Sequence, residues 1–259
     1  MWLNDEQVID STINKYRESL LNSCPNHVVI DGLFDEAKLD EVMGVLHQPH
    51  HWQTQQHTYS ALYVDSAQWQ NTSKDQRFVQ RDVWRRDPGN SNVTHNIAQE
   101  FLSFLRGDEF MAVLSRIFNV QLTDINVTDP NINTNYFRLA TTDFVEQHAD
   151  DSPGREVCML LYLNKNWSSK AGGELSFFGE EIDEKLEKKI NEEFGESIGE
   201  QVEKIRDQKQ SHPITISPLY NRCVLFDPSS KGSEHWVEKL HAEHADTYRY
   251  NVTSWYWAE

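Results

Sequence analysis

The chain has 259 residues and a formal net charge of -17, and 38% of its residues are hydrophobic. This length suits one large domain or two small ones, with a core that needs no disulfide or metal to hold it together. The strong negative charge disfavours nucleic acid or an anionic membrane surface as a partner, so we expect neither. No stretch approaches the roughly 18 consecutive apolar residues of a membrane-spanning helix.

The cysteines and the first residues predict a protein of a reducing compartment. Cys24, Cys158 and Cys223 are odd in number and widely spaced, so they indicate neither a disulfide framework nor a thiolate zinc site. Cys158 and Cys223 fall within apolar runs and are expected to be buried. The start, MWLNDEQVID, lacks the basic and apolar regions of a secretory signal. The expected location is therefore cytoplasmic.

The first half of the chain predicts mainly helices. Apolar residues at helical spacing predict helical segments over 5–21, 35–47 and 94–118. A short strand and a turn are expected over 27–34, and Asp35 is the predicted N-cap of the helix that follows. The last of the three segments is expected to break near Gly107. Residues 48–93 predict only loops and short strands, and they have no assigned role.

From about residue 120 the pattern changes to short β-rich runs separated by turns. The runs are NTNYFRLA, EVCMLLYLN, GELSFF, PITIS, NRCVLF and YRYNVTSWYW. Many short strands without regular helices between them are typical of a barrel or a sandwich. We therefore expect a single domain over 1–259, in which 1–119 is a mostly helical support and 120–259 is the β core.

An amphipathic helical insertion interrupts the β-rich half. Between Gly179 and Gln210, apolar residues recur at helical spacing among Glu and Lys, and Gly195 or Gly199 would bend the helix. Such a stripe usually packs on the protein's own core, and a lid or a partner-binding helix is the functional alternative. The prediction is a helical excursion around 180–209 that packs on the β core through one face.

A His-x-Asp pair in the stretch FVEQHADDSPGREVCMLLYLNKNW is the main candidate for chemistry. Because side chains alternate along an extended segment, His148 and Asp150 would point to the same face. With one distant histidine they have the composition of a facial triad, which binds iron(II) and leaves coordination positions open. Alone, the pair is also expected by chance in a chain with 11 histidines and 41 acidic residues, where a solvated turn is the simpler interpretation.

The segments that follow this pair make it more specific. The strand ending Tyr-Leu-Asn, the turn and strand AGGELSFF, the segment PLYNRCVLFDPSSKGSEH and the terminal TYRYNVTSWYW occur in this order. Over about residues 134–257 the sequence therefore resembles the prolyl 4-hydroxylase-like branch of the iron(II)- and 2-oxoglutarate-dependent dioxygenases. The resemblance implies a mainly β fold with supporting helices. Its core would be a double-stranded β-helix, or jelly roll, with the N-terminal helices packed on one sheet.

The resemblance also implies a set of site residues. His148, Asp150 and His235 would be the metal ligands. Arg249 would pair with the distal carboxylate of 2-oxoglutarate, for which a bidentate guanidinium is well shaped. Tyr162 would add a hydroxyl contact to that carboxylate, although an ordinary strand aromatic is the alternative.

Other residues are weaker candidates. Thr253 alternates onto the face of Arg249 and would contact the co-substrate, and Tyr136 is a candidate for the pocket wall. Candidates for contact with the substrate are Arg155, Asp151 and Trp255. The alternative is packing for Thr253 and Tyr136, a surface salt bridge for Arg155, and simple solvent exposure for Asp151.

The segment EKLHAEHADTY leaves the third ligand open between histidines. The spacing from His235 to Arg249 is longer than in many relatives, and the longer loop contains His241 and His244. His235 is preferred because it follows a strand and a loop, as the ligand does in the family. Gly172 and Gly173 are expected to serve a turn.

The implied activity is hydroxylation of an unactivated C–H bond, which uses Fe(2+), 2-oxoglutarate and O2 and yields succinate and CO2. Ascorbate is the expected reductant. The segment REVCMLLYLNKNW is most similar to peptidyl-prolyl hydroxylases, so a prolyl residue of an intracellular protein or peptide is the first substrate class. A free amino acid or another small metabolite is the alternative, since a fold does not decide a substrate.

Two hypotheses from other functional classes remain open. One is a non-catalytic metal-binding jelly roll that acts as a sensor, and the other is a zinc hydrolase with the same triad. Neither gives Arg249 a function, because a structural metal or a zinc-bound water needs no partner for a co-substrate carboxylate.

Overall fold

The computed structural model describes residues 1–61, 64–86, 96–123, 133–179, 213–244 and 248–258. Its helices are α1 Asp5–Val8, α2 Asp10–Leu21, α3 Glu36–Leu46, α4 Ser66–Asn71, α5 Ile97–Leu105 and α6 Asp108–Phe118, with a 3-10 helix at Lys74–Gln76. Its strands are β1 His27–Asp31, β2 Trp52–Thr58, β3 Arg77–Trp84, β4 Leu122–Thr123, β5 Thr134–Leu139, β6 Phe144–His148, β7 Arg155–Tyr162, β8 Leu175–Phe177, β9 Ile214–Ile216, β10 Arg222–Phe226, β11 His235–Val237 and β12 Arg249–Ala258. The helical insertion predicted around 180–209 lies outside the described residues.

Local sequence signals set the ends of the N-terminal helices. The Asp35 carboxylate accepts a hydrogen bond of 2.9 Å from the backbone N–H of Lys38, which confirms the predicted cap of α3. The helix predicted over 5–21 is instead two helices, because Ile9 has an extended backbone with ψ 154° and its carbonyl begins α2. Helices α5 and α6 meet at Gly107, so the break predicted there is confirmed.

The strands form an antiparallel sheet in the order β1-β10-β7-β12-β5-β3-β6-β11-β8-β9, with β2 added to β3 and β4 added to β12. Neighbours in this order are mostly far apart in sequence. The β8 and β9 end of the sheet lies over β7 and β10, since buried side chains of all four strands form one apolar cluster. Two facing layers of antiparallel strands confirm the mainly β jelly-roll architecture.

Alternation along β7 and β12 gives the sheet an outer and an inner face. On the outer face, residues such as Met159, Leu161 and Val252 pack against the helices in the largest core cluster. The helices contribute fully buried side chains to it, among them Leu39, Phe101, Leu105, Phe110, Leu114 and Ile117. Burial of such a side chain stabilises the fold by roughly 1.5–3 kcal/mol. The N-terminal helices therefore support one face of the sheet, as predicted.

The segment 48–93 contributes more to the fold than its sequence indicates. Its strands β2 and β3 pair with each other over most of their length. Strand β3 then pairs with β5 at Val83 and Phe137, and with β6 at Val79 and Val145. This hairpin joins the two layers of the sheet and forms part of the wall of the interior.

The structure bears on two further sequence predictions, the burial of two cysteines and the lack of a membrane-spanning helix. Cys158 and Cys223 are fully buried, as expected from their apolar runs. Among the described residues, no helix is long and apolar enough to cross a membrane.

Candidate active site

Two histidines and one aspartate meet where β6 and β11 pair. His148 at the end of β6 lies opposite His235 at the start of β11, and Asp150 follows directly after β6. Nε2 of each histidine lies 3.7 Å from a carboxylate oxygen of Asp150. One ligand atom from each residue lies within 4.8 Å of the others, so the cluster has the dimensions of a metal site.

Backbone carbonyls fix the tautomer of both histidines. Nδ1 of His148 lies 2.8 Å from the carbonyl oxygen of Glu146, and Nδ1 of His235 lies 3.0 Å from that of Ser233. A carbonyl oxygen only accepts hydrogen bonds, so each Nδ1 carries the proton. Each Nε2 is then left with its lone pair toward the cluster, which is the arrangement of metal-binding imidazoles.

Side chains from two strands hold Asp150 in place. The Trp255 indole N–H donates to Oδ2 at 2.8 Å, and Arg155 donates to the backbone carbonyl of Asp150. Burial acts to raise the pKa of the Asp150 carboxyl, but His235, His148, the Trp255 N–H and Arg155 together lower this pKa to about 2. The carboxyl is therefore ionised at neutral pH.

The second histidine is held neutral by its surroundings. Burial is the main cause that lowers the pKa of His235 to about 4, and His148 adds to it. Two imidazole nitrogens and one carboxylate on one side of a centre, with the other side open, are the donor set of non-haem iron(II) sites. The residues present therefore fit iron(II).

A buried arginine faces the same interior from β12. Arg249 has only 1% of its surface exposed, and its Nη1 donates to Oδ1 of Asn251 at 3.0 Å. Among the described residues, no acceptor lies in hydrogen-bond geometry with its Nε or Nη2. Its guanidinium carbon lies 4.9 Å from the ring centroid of Tyr162. The buried Tyr162 hydroxyl interacts with this guanidinium but has no partner in full hydrogen-bond geometry within this part of the chain.

These unpaired donors have a physical meaning. A charged group buried without an anionic partner costs several kcal/mol, and a buried N–H or O–H without an acceptor adds to that cost. Burial lowers the pKa of Arg249, so its charged form is under an electrostatic cost that an incoming anion would relieve, and burial raises the pKa of Tyr162, so its hydroxyl keeps the proton that it can donate. A carboxylate fits this position, since it accepts two parallel N–H bonds from a guanidinium.

One cavity of about 580 Å³ connects the cluster with the arginine. Its floor carries the three cluster residues, and strand β12 supplies Arg249, Asn251, Thr253 and Trp255 from alternate positions. The remaining wall includes residues from β2, β3 and β5, among them Gln55, His57, Phe78, Arg81, Asn135 and Phe137. The volume lies within the range of small-molecule sites, roughly 300–1,000 Å³.

Four of the five weaker sequence candidates line the cavity, and Tyr136 does not. Thr253 lines the cavity and accepts a hydrogen bond from the Asn251 amide, and Trp255 lines it as the partner of Asp150. Tyr136 lies on the opposite face of β5, in the outer core, and its hydroxyl donates to the carbonyl of Ala98 at 2.8 Å. Tyr136 is a packing residue, because its neighbours Asn135 and Phe137 take the inward positions on this strand.

The candidates at the rim differ in their contacts. Arg155 lines the cavity, and its ion pair, at 4.0 Å, is a partly buried one with Asp150. It also binds the Asp150 backbone carbonyl and lies 5.0 Å from the Trp257 ring, so it supports the cluster. Asp151 is exposed and lines the cavity. His241 is exposed and lies outside the cavity, and His244 lies 3.7 Å from Glu243. The structure thus places His235, and neither of the loop histidines, beside Asp150.

Sequence reasoning missed the inward residues of β2, β3 and β5, together with Asn251. The sequence could have indicated Asn251, because side chains alternate along a strand and this places it on the same face as Arg249 and Thr253. Gln55 and Arg81 carried no such signal, since their polar segment predicts loops and their place in the wall depends on long-range pairing. Arg81 stacks on Phe137, with its guanidinium carbon 3.5 Å from the ring centroid, and its Nε donates to Gln55.

Comparisons with known proteins agree with this geometry. Mouse (Mus musculus) prolyl 3-hydroxylase OGFOD1 is 26% identical over 181 residues, which is 70% of this chain and 26% of that protein. The chain thus matches about a quarter of the length of this curated relative.

Two solved structures share the fold of nearly the whole chain. The Pseudomonas putida prolyl 4-hydroxylase has a TM-score of 0.55 and 13% identity, with 95% of this chain and 98% of that chain covered. A Trichoplax adhaerens prolyl hydroxylase, solved with a peptide fragment of the hypoxia-inducible factor oxygen degradation domain, has a TM-score of 0.59 and 18% identity, with 98% and 96% covered. Residues 134–257 match the family model of the 2OG-Fe(II) oxygenase superfamily, and this matched segment contains both the His-Asp-His cluster and Arg249.

Proposed function

We propose that the chain is an Fe(II)- and 2-oxoglutarate-dependent dioxygenase that hydroxylates an unactivated C–H bond, with a prolyl residue of an intracellular protein as its substrate. One observation carries the proposal. A single cavity holds a three-residue metal cluster and a buried guanidinium that lacks an acceptor for two of its donor nitrogens among the described residues. A metal site alone would not need that guanidinium.

Each side chain then has a defined task. His148, Asp150 and His235 would hold the iron. Trp255 orients the Asp150 carboxylate through a hydrogen bond, and Arg155 binds the Asp150 backbone carbonyl and lies 4.0 Å from the same carboxylate. When bound, iron and 2-oxoglutarate supply the oxidising chemistry, in which O2 is consumed and 2-oxoglutarate becomes succinate and CO2.

The co-substrate is bound by charge and by hydrogen bonds. Nε and Nη2 of Arg249 would donate to its distal carboxylate, and the hydroxyl of Tyr162 would donate to the same group. Apolar side chains on the wall, such as Leu160, Leu175 and Val237, keep water away from these bonds and strengthen them.

The substrate class rests on the relatives and on the size of the cavity. The curated relative is a prolyl 3-hydroxylase, and a structural neighbour binds a peptide fragment. The cavity of about 580 Å³ leaves room beside 2-oxoglutarate for a residue that enters from the rim, where Asp151 is exposed. Ascorbate is proposed as the reductant that keeps the iron in the Fe(II) state.

A turnover assay tests the proposal. Purified protein with Fe(II), ascorbate and 2-oxoglutarate is expected to form succinate slowly, and a matching proline-containing peptide is expected to raise the rate. Mass spectrometry of the peptide would show one added oxygen atom, and comparison with standards would distinguish 3- from 4-hydroxyproline. Absence of succinate and of any iron-dependent binding of 2-oxoglutarate would refute the enzyme. Stimulation by free amino acids and by no peptide would replace the protein substrate with a small molecule.

A further inference from the structure

We propose that Asn251 is a positioning residue that orients the Arg249 guanidinium toward the distal carboxylate of 2-oxoglutarate. This inference rests on the proposed function, because it concerns how the same site binds its co-substrate. Asn251 accepts a hydrogen bond from Arg249. The resemblance described from the sequence assigns Asn251 no role, and Asn251 does not belong to the metal cluster.

A chain of hydrogen bonds runs along the inner face of β12. Nη1 of Arg249 donates to Oδ1 of Asn251 at 3.0 Å, and Nδ2 of Asn251 donates to Oγ1 of Thr253 at 3.0 Å. All three residues are buried, and they occupy alternate positions on the strand. A guanidinium has only donors, so the amide must present its oxygen to Arg249 and its nitrogen to Thr253. The orientation of the amide is therefore fixed at both ends.

Other contacts restrict the arginine from its remaining sides. A Cβ atom added to Gly173, which has φ +80°, would lie 2.8 Å from Cδ of Arg249. The stem of the arginine thus fills the space that a side chain at Gly173 would take, and the Tyr162 ring lies on another side at 4.9 Å. Gly173 accordingly does more than permit the turn expected from sequence. One N–H of Nη1 is bound to Asn251, and Nε and Nη2, which have no partner in hydrogen-bond geometry among the described residues, can donate to a ligand.

The neutral charge of Asn251 is central to this role. A carboxylate at the same place would also bind Nη1, but it would neutralise the guanidinium and repel the carboxylate of an incoming ligand. An amide oxygen fixes the geometry and places no negative charge of its own beside the guanidinium. A ligand with a carboxylate therefore gains the full interaction with a preoriented cation, and less side-chain entropy is lost when it binds.

The test measures binding without turnover. Wild type and Asn251→Leu, which keeps the branched shape of the side chain and removes the acceptor, are loaded with Zn(II) and titrated calorimetrically with 2-oxoglutarate. A hydrogen bond to a charged group corresponds to a loss of roughly 10- to 100-fold in affinity. The matched ligand is 2-oxobutyrate, which keeps the 2-oxo acid and lacks the distal carboxylate. Its affinity should change less than about twofold, because Arg249 has no carboxylate to bind.

Two more variants keep the test decisive. Asn251→Asp should weaken 2-oxoglutarate more than Asn251→Leu does while raising the melting temperature, since it pairs with Arg249. Asn251→Ala should repeat the ligand selectivity if the leucine variant does not fold. In turnover with the iron enzyme, the variants should raise KM for 2-oxoglutarate and leave kcat at saturation unchanged.

Several results would overturn the inference. Unchanged affinity for 2-oxoglutarate in the folded variants would show that Asn251 does not orient Arg249. Equal weakening of both 2-oxo acids would assign the effect to a general disturbance of the cavity. Failure of the wild-type, metal-loaded protein to bind 2-oxoglutarate would instead refute the proposed function, so the two failures are distinguishable.

Discussion

The two faces of strand β12 bury polar atoms in opposite ways. On the outer face, the Tyr256 hydroxyl donates to the carbonyl of Leu105 at 2.9 Å, and the polar atom is satisfied within the fold. On the inner face, Arg249 and the nearby Tyr162 are just as buried, yet three of their polar atoms have no hydrogen-bond partner among the described residues. Burial is common to both faces, so unmet hydrogen bonding is what distinguishes the binding face from the packing face.

This difference predicts that substitutions on the two faces act on different quantities. Changes on the inner face should alter ligand binding with little loss of stability. Changes on the outer face should lower the free energy of unfolding and leave the affinity of the folded protein unchanged.

The largest effect is expected at the metal cluster. His235→Ala removes one of the three clustered ligands and should abolish metal-dependent binding of 2-oxoglutarate, measured by calorimetry with Zn(II). The matched control is His241→Ala, which changes an exposed histidine outside the cavity and should bind as wild type does. Loss of binding in His241→Ala alone would show that the third ligand is misassigned.

The next largest effect is expected at Arg249, where one substitution should change ligand affinity and the free energy of unfolding in opposite directions. Arg249→Leu should weaken 2-oxoglutarate by at least about 100-fold while the protein still binds the metal, because a buried charge pair is worth several kcal/mol. The same variant, without ligand, should unfold at higher urea, with a gain of about 1–4 kcal/mol from removing an unpaired buried charge. A destabilised apo variant would contradict the view that this arginine is kept for a ligand.

A core substitution on the outer side should show the reverse pattern. Leu114→Ala empties a fully buried position in α6 and should cost about 2–5 kcal/mol in urea unfolding. The affinity of the folded protein for 2-oxoglutarate should stay the same. Ala112→Gln on the exposed side of the same helix should change stability by less than about 0.5 kcal/mol. If Leu114→Ala weakened ligand binding in proportion to its stability loss, the two faces would not be independent.

The smallest effect lies at the edge of the sheet, away from both faces. Arg222 makes a bidentate pair with Asp31, with distances of 2.7 and 2.8 Å, and this hydrogen bonding lowers the pKa of the Asp31 carboxyl. A lowered folded-state pKa adds stability above the unfolded value, near 3.9, and this stability is lost as pH falls through the folded pKa. The side chain of Asp31 is 60% exposed, so Asp31→Asn should cost only about 0.5 kcal/mol at pH 7. The difference from wild type should shrink in urea titrations below about pH 4.

The local parts of the fold, and the three residues that cluster as His148, Asp150 and His235, could be predicted from the sequence. Asp35 and Gly107 mark helix ends through short-range backbone geometry. The fixed order of the motifs that contain His148, Asp150 and His235 predicts that these three residues come together. These signals depend on residues near in sequence or on a pattern with a fixed order.

Other features depended on pairing between distant strands. The sequence prediction assigned Tyr136 to the pocket, but β5 is buried on both faces, so its residues show no polar alternation that would reveal which side faces inward. The register with β12, where Val252 lies opposite Tyr136, decides it. Arg81 and Gln55 reach the cavity only through the pairing of β2 with β3 and of β3 with β5, which no local pattern encodes.

The indole of Trp255 should make metal binding detectable by intrinsic fluorescence. Its N–H donates to a carboxylate oxygen of Asp150, so any cation that draws electron density from that oxygen also changes the environment of the chromophore. Intrinsic fluorescence should therefore shift on binding of Zn(II), and a paramagnetic ion should quench it. Although the chain has 8 tryptophans, Trp255→Phe identifies the responding one. Metal occupancy can then be followed in the unlabelled protein, before any substrate is known.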